Sequence, residues 1–124
     1  MQIPSLRVVC IEDDEDDMMI LRSILGGCTQ ELLFDWVWHV DDLHRPYPGD
    51  QPDIVFVDYG FNGSSPMDLT AMIHARYGDV PILFLSSWAA YMMDPEDIEI
   101  MEHCFQKQEL NEESLCEAIR AAIS

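Results

Sequence analysis

Apolar residues along the chain gather into five short runs rich in β-branched or aromatic side chains: "LRVVCI", "FDWVWHV", "DIVFVD", "PILFLS" and "HCFQ". Helix-like segments or loops separate them, and that alternation predicts an α/β domain built on a parallel sheet. The third and fourth runs are nearly all apolar, as central strands covered on both faces should be. The second alternates less cleanly and reads as lying nearer an edge.

Between the runs, "DDMMILRSIL" sets Met19, Ile20, Ser23 and Ile24 on one helical face behind acids that favour a helix N-terminus. "PMDLTAMIHARYG" opens on a proline suited to the first helical position and closes on Gly78. "NEESLCEAIRAAI" begins with Asn111 as a cap and repeats Leu115, Ile119 and Ile123 on one face. "VDDLHRPYPGDQ" has room for barely one helical turn before Pro46 and Pro48, and "WAAYMMDPEDIEIM" is interrupted near Pro95. With no linker, repeat or low-complexity segment, residues 1–124 read as one domain. A chain of this length buries roughly two thirds of its unfolded surface.

Charge narrows the partners. Six basic residues against 24 acidic ones give 6 − 24 = −18, with a pI near 4.1. A field of that sign repels phosphate backbones and anionic membranes, so neither nucleic acid nor a membrane surface is expected as a ligand. Cations and basic surfaces are. Cys10, Cys28, Cys104 and Cys116 show no close pairing and no metal-ligand spacing, which reads as free thiols in a reducing cytoplasm. "MQIPSLR" lacks the apolar stretch of a secretion signal, and no run approaches a membrane span. The expectation is a soluble, cytoplasmic protein.

The acids acquire meaning from position. In open parallel sheets the binding crevice lies at the carboxyl ends of the strands. There, strand one gives way to Glu12 and Asp13, strand three ends on Asp58, strand four ends on Ser86, and Lys107 follows strand five. Oxygen ligands from neighbouring strand ends, with a hydroxyl and an ammonium beside them, describe a small magnesium site that also receives a phosphoryl group. Asp13 and Asp58 suit direct contact with the ion and Glu12 contact through water.

These residues resemble the receiver domains of two-component response regulators, over essentially the whole chain. The resemblance implies a flavodoxin-like, doubly wound five-stranded parallel sheet of strand order 2-1-3-4-5 with helices on both faces. It implies that Glu12 and Asp13, with Asp58 and the Gly60 carbonyl, bind Mg2+, and that Asp58 accepts a phosphoryl group from a histidine kinase or phosphotransfer protein. Ser86 and Lys107 then hold that group, and the surface of the family's helix 4, strand 5 and helix 5 changes. The domain would catalyse only its own phosphorylation and dephosphorylation. "IEDDEDD", "VDYG" and "KQELNEESLCEAIRAAI" look most like receivers placed ahead of sensory or cyclic-dinucleotide signalling domains. An effector domain, in this chain or another, and a homodimer are the further partners implied.

Departures from the family pattern are specific. Cys104, with Phe105 beside it, stands where an aromatic switch residue is common, and Gln108 follows Lys107 where a proline is common. Asn62 and Pro66 alter the loop after Asp58, which bears on the Gly60 ligand. Gly60 and Trp88 occupy the positions that tune the phosphoryl lifetime; neither can orient an attacking water, and slow self-hydrolysis is expected.

Plainer readings accompany these. Asp14, Glu15, Asp16 and Asp17 read as a helix-dipole cap. A D-x-D-x-D-G calcium loop fails at Met18, and a haloacid-dehalogenase-type phosphatase fails at Glu15. Ser86 or Lys107 alone would be an ordinary strand-end hydroxyl or surface lysine. His39, His44, His74 and His103 show no ligand spacing. Met18, Met19, Met92 and Met93 suit core or interface filling, and Trp36 and Trp38 suit packing under a helix. The alternative function is a receiver-like protein-binding module independent of phosphorylation.

Overall fold

The computed structural model describes residues 2–44 and 51–124. Five strands, β1 (Ile3–Ile11), β2 (Thr29–Val37), β3 (Ile54–Asp58), β4 (Ile82–Ser86) and β5 (Cys104–Gln106), form one sheet in the order β2-β1-β3-β4-β5. Every pairing is parallel. Among the described residues four α-helices lie between or after them: α1 (Glu15–Gly26), α2 (Pro66–Tyr77), α3 (Pro95–Ile100) and α4 (Glu112–Ile123). The expected strand order and doubly wound arrangement are therefore present.

Alternation along the strands divides the core. Leu6, Val8 and Cys10 of β1 pack with Leu21 and Leu25 of α1 and Leu115 and Ile119 of α4 on one face. Val9 and Ile11 face the other way, with Leu69, Ile73 and Tyr77 of α2 and with Met93 and Met101 around α3. β3, buried along Ile54–Val57, contributes to both layers.

Boundaries moved where packing outranks pattern. β2 begins at Thr29, five residues before the apolar run suggested, and pairs with β1 from Ile3↔Thr29 to Ile11↔Val37. An edge strand tolerates the polar "TQE" because one side of its ladder is unpaired. Trp36 packs against the α1/α4 core as expected, but Trp38 lies past the strand and is exposed. In α1 the buried stripe is Met18, Leu21 and Leu25, while Met19 and Ile20 are exposed, so the expected face is corrected. Apolar residues run around much of this helix, and contact with the sheet and α4 chooses among them. Met93 is likewise buried and Met92 exposed.

Caps follow the sequence closely. Asn111 Oδ1 accepts from the Ser114 N–H at the start of α4, and Ser65 caps α2 ahead of Pro66. Gly78 ends α2 at φ 81°, a left-handed conformation that favours glycine. A 3₁₀ turn, Val40–His44, follows β2, matching the short helical allowance there; Pro46 and Pro48 lie outside the described residues. Asp94 caps α3, so Pro95 starts a helix and separates it from the preceding 3₁₀ turn, Ala90–Met92.

The cysteine expectation is corrected at two positions. Cys28, in the turn from α1 into β2, and Cys116 of α4 form a disulfide with a Cα–Cα distance of 5.3 Å. They stand 88 residues apart, so their meeting is a product of α1–α4 packing that spacing could not reveal. Cys10, buried, and Cys104, exposed, are free thiols.

Candidate functional site

Strand register brings the polar strand ends level. Ile11 pairs with Val57, so Glu12 and Asp58 emerge side by side. Ser86 pairs with Gln106, which sets Lys107 just beyond. Glu12 is fixed by several bonds. Its N–H donates to the Val37 carbonyl at 3.0 Å, its carbonyl accepts the Trp36 indole Nε1–H at 2.6 Å, and its Oε1 accepts the Asp14 N–H at 3.1 Å. Trp36 thus anchors the acid from the neighbouring strand, a role additional to packing.

One carboxylate oxygen from each of Glu12, Asp13 and Asp58 lies within 4.8 Å of the others. Lys107 Nζ reaches three acids at once: Asp17 Oδ2 at 2.7 Å, Asp58 Oδ1 at 2.8 Å and Glu12 Oε2 at 2.9 Å. Its side chain is 14% exposed and that of Glu12 only 4%. Burial opposes charge on all of these groups. It raises the Glu12 carboxyl to about 7 despite the Lys107 bond, and it raises Asp58 as well. For Lys107 burial works downward, but the bonds to Asp17, Asp58 and Glu12 outweigh it and the ammonium is held more firmly than usual. Around it stand four carboxylates, Glu12, Asp13, Asp17 and Asp58, so the site retains an excess of negative charge that a cation would neutralise.

Asp14 accepts the cap bonds, its Oδ1 taking the Asp16 and Asp17 N–H groups, and Glu15, Asp16 and Asp17 lie in the first turn as the helix-dipole reading expects. Asp17 has a second role: it stands on the buried stripe of α1, one turn before Leu21, and meets Lys107. That spacing was the available signal. Another was composition: Lys107 is the chain's only lysine.

The remaining predicted positions divide. Ser86 is fully buried and bonded to its own loop, its Oγ donating to the Trp88 carbonyl at 3.0 Å and accepting the Trp88 N–H at 2.8 Å. Gly60 adopts φ 84°, its carbonyl accepts the Gly63 N–H at 2.9 Å, and it borders a cleft of about 620 Å³ together with Asp58, Tyr59, Trp88 and Lys107. Asn62 also takes a left-handed turn and its Oδ1 accepts the Val40 N–H at 2.8 Å, which ties the loop after Asp58 to the turn after β2. Cys104 is exposed, whereas Phe105, one position on, packs into the α1/α4 core. Strand alternation therefore puts the ring on the opposite face from Cys104.

A further set escaped the sequence reading. Trp88 packs edge-on against Tyr59, with centroids 6.4 Å apart, and the Tyr59 hydroxyl donates to Asp97 Oδ2 at 2.7 Å. Ser86, Trp88, Tyr59 and Asp97 thereby connect β4 to α3.

No sequence-family profile matches the chain, and no curated protein matches it. Solved structures do. A response regulator from Thermotoga maritima superposes with a TM-score of 0.72 at 16% identity, covering 96% of this chain and 98% of that one. The receiver domain of a sensor histidine kinase from Pseudomonas aeruginosa, with a magnesium ion coordinated in its active-site cleft, gives 0.72 at 17% identity over 96% and 98%. A response regulator from Burkholderia pseudomallei with a phosphorylated aspartic acid, calcium ion and citrate gives 0.70 at 18% identity over 96% of this chain and 66% of that one. With its strand order, its two helical layers and these superpositions, the chain has the fold of the response-regulator receiver domains.

Proposed function

We propose that the chain, residues 1–124, is a receiver domain that works as a phosphoacceptor signalling switch, with Asp58 as the acceptor. One observation carries this reading: a partly buried Asp58 lies 2.8 Å from Lys107 and inside the oxygen cluster of Glu12 and Asp13. Hard oxygen donors in that number fit Mg2+, which keeps much of its water. Glu12, Asp13 and Asp58 would hold the ion, with the Gly60 carbonyl as a backbone ligand. When bound, the ion supplies positive charge that offsets the repulsion between a carboxylate and an incoming phosphoryl group.

The chain's own groups do the rest. An Asp58 oxygen forms the new O–P bond as the donor's N–P bond breaks, and the electron pair stays on the donor imidazole nitrogen, which takes up a proton. Lys107 pairs with a phosphoryl oxygen. Ser86 can donate to another only by giving up the bond it donates to the Trp88 carbonyl, which releases that carbonyl and lets the loop move. Trp88 carries that movement to Tyr59 and Asp97, and hence to the surface of α3, β5 and α4, the family's helix 4, strand 5 and helix 5. This route replaces the aromatic switch, because Cys104 has no ring to rotate.

The donor is a histidine kinase or phosphotransfer protein in the cytoplasm, where such donors are charged, and the output is an effector domain or a second copy. The domain turns over no other substrate. The deciding measurement is the intact mass after incubation with a small-molecule phosphodonor, with and without Mg2+, beside Asp58→Asn. A Mg2+-dependent gain of one phosphoryl group that the variant lacks is the expected result. Folded protein that gains none would make the chain a phosphorylation-independent binding module.

A further inference from the structure

We infer that Asp17 is the positioning residue for Lys107, holding the ammonium beside Asp58 while Glu12 and Asp58 are engaged by other partners. The inference rests on Asp58 being the phosphoacceptor. Three acids share Lys107, but they are not equivalent. Glu12 and Asp58 also belong to the cluster whose oxygens lie within 4.8 Å of one another; Asp17 does not. A cation in that cluster, or a phosphoryl group on Asp58, competes with the lysine for two of its three partners. Asp17, at 2.7 Å the shortest of the three contacts, is the one left.

The geometry of α1 suits an anchor. Asp17 sits in the first turn, where the Asp14 cap fixes its backbone N–H at 3.2 Å, and Met18 and Leu21 behind it are buried. Its carboxylate is thus carried by a rigid element. Lys107, by contrast, opens a short 3₁₀ turn, Lys107–Glu109, on a flexible four-carbon stem. Left to itself that stem would place the charge over a range of positions; a fixed acid on α1 restricts it to one. Neighbouring Asp16 offers a matched control, since it carries the same charge on the adjacent residue and its side chain is not among the Lys107 partners.

Because the chain has a single lysine, amine-reactive labelling followed by peptide mapping reads Lys107 without interference from other side chains. The experiment compares wild type, Asp17→Asn, Asp17→Glu and Asp16→Asn, each checked for folding by circular dichroism. The first readout is the Lys107 labelling rate in phosphate-free buffer at saturating Mg2+. The second is the rate of phosphoryl gain from acetyl phosphate at saturating Mg2+. Asp17→Asn should label Lys107 roughly tenfold faster, the effect of losing one charge-assisted bond, and should gain the phosphoryl group several-fold more slowly. Asp17→Glu should restore much of both, and Asp16→Asn should change neither.

Labelling in Asp17→Asn equal to that in Asp16→Asn overturns the inference, as does faster labelling with an unchanged phosphorylation rate. A wild type that gains no phosphoryl group instead defeats the proposed function and, with it, any role of Asp17 in transfer. The labelling rates would still decide whether Asp17 holds the lysine.

Discussion

Trp88 stands two residues beyond Ser86, half-exposed, with its backbone holding the Ser86 hydroxyl and its ring against Tyr59. An indole cannot orient a water for attack on a phosphoryl group, and Gly60 offers no side chain to do so. A phosphorylated Asp58 should therefore be long-lived. Trp88→Glu introduces a carboxylate at the cleft rim and should shorten the lifetime roughly a hundredfold, the low end of what a positioned base contributes. Decay followed by intact mass checks this, and an unchanged lifetime would remove Trp88 from the tuning positions. Single residues also show where reading a sequence reaches its limit. Glu12, Asp13, Asp58 and Lys107 were legible because each sits at a strand end. Asp17 was not, because four adjacent acids at a helix start look alike until the turn after β5 brings Lys107 against one of them. Ser86 was legible as a position, whereas its engagement with Trp88 is a matter of loop conformation.

Helix α4 is held at both ends of its role in the fold. Leu115 and Ile119 are fully buried against the sheet, and Cys116 between them is bonded to Cys28 at the α1–β2 turn. The bond closes a long loop, 88 residues in sequence separation, so it restricts the unfolded chain substantially. Replacing both cysteines with serine should cost about 2–4 kcal/mol, read by denaturant unfolding of variant and wild type. A difference near zero would mean that α1 and α4 are located by their apolar contacts alone. The same element bears on redox state: Cys28 and Cys116 were expected as free thiols and are bonded here. Intact mass with thiol alkylation, before and after a dithiol reductant, gives the state of the pair directly.

Across the whole molecule the dominant quantity is a net charge of −18. Self-repulsion of that size opposes compaction, and the described acids are mostly exposed, where salt reaches them. Raising sodium chloride from about 0.01 to 1 M shortens the screening length from roughly 30 to 3 Å. The thermal midpoint should rise across that range. A flat or falling midpoint would show that local pairing already neutralises the acids. The same field should draw a basic partner surface toward the cleft, with an association rate that declines as salt is added.

Periodicity and punctuation in the sequence determined the element order, the central place of β3 and β4, the proline start of α2, the cap at Asn111, and the strand ends that carry Glu12, Asp13, Asp58 and Lys107. These are local properties: side-chain period, backbone restriction at proline and glycine, and the rule that parallel strands all end on one edge. Tertiary structure alone decided the early start of β2, the buried face of α1, the Cys28–Cys116 bond, the packing of Phe105 into the α1/α4 core, and the sharing of one lysine among three acids. Each of those depends on which of several chemically similar residues meets a partner far away in sequence, and that choice belongs to packing.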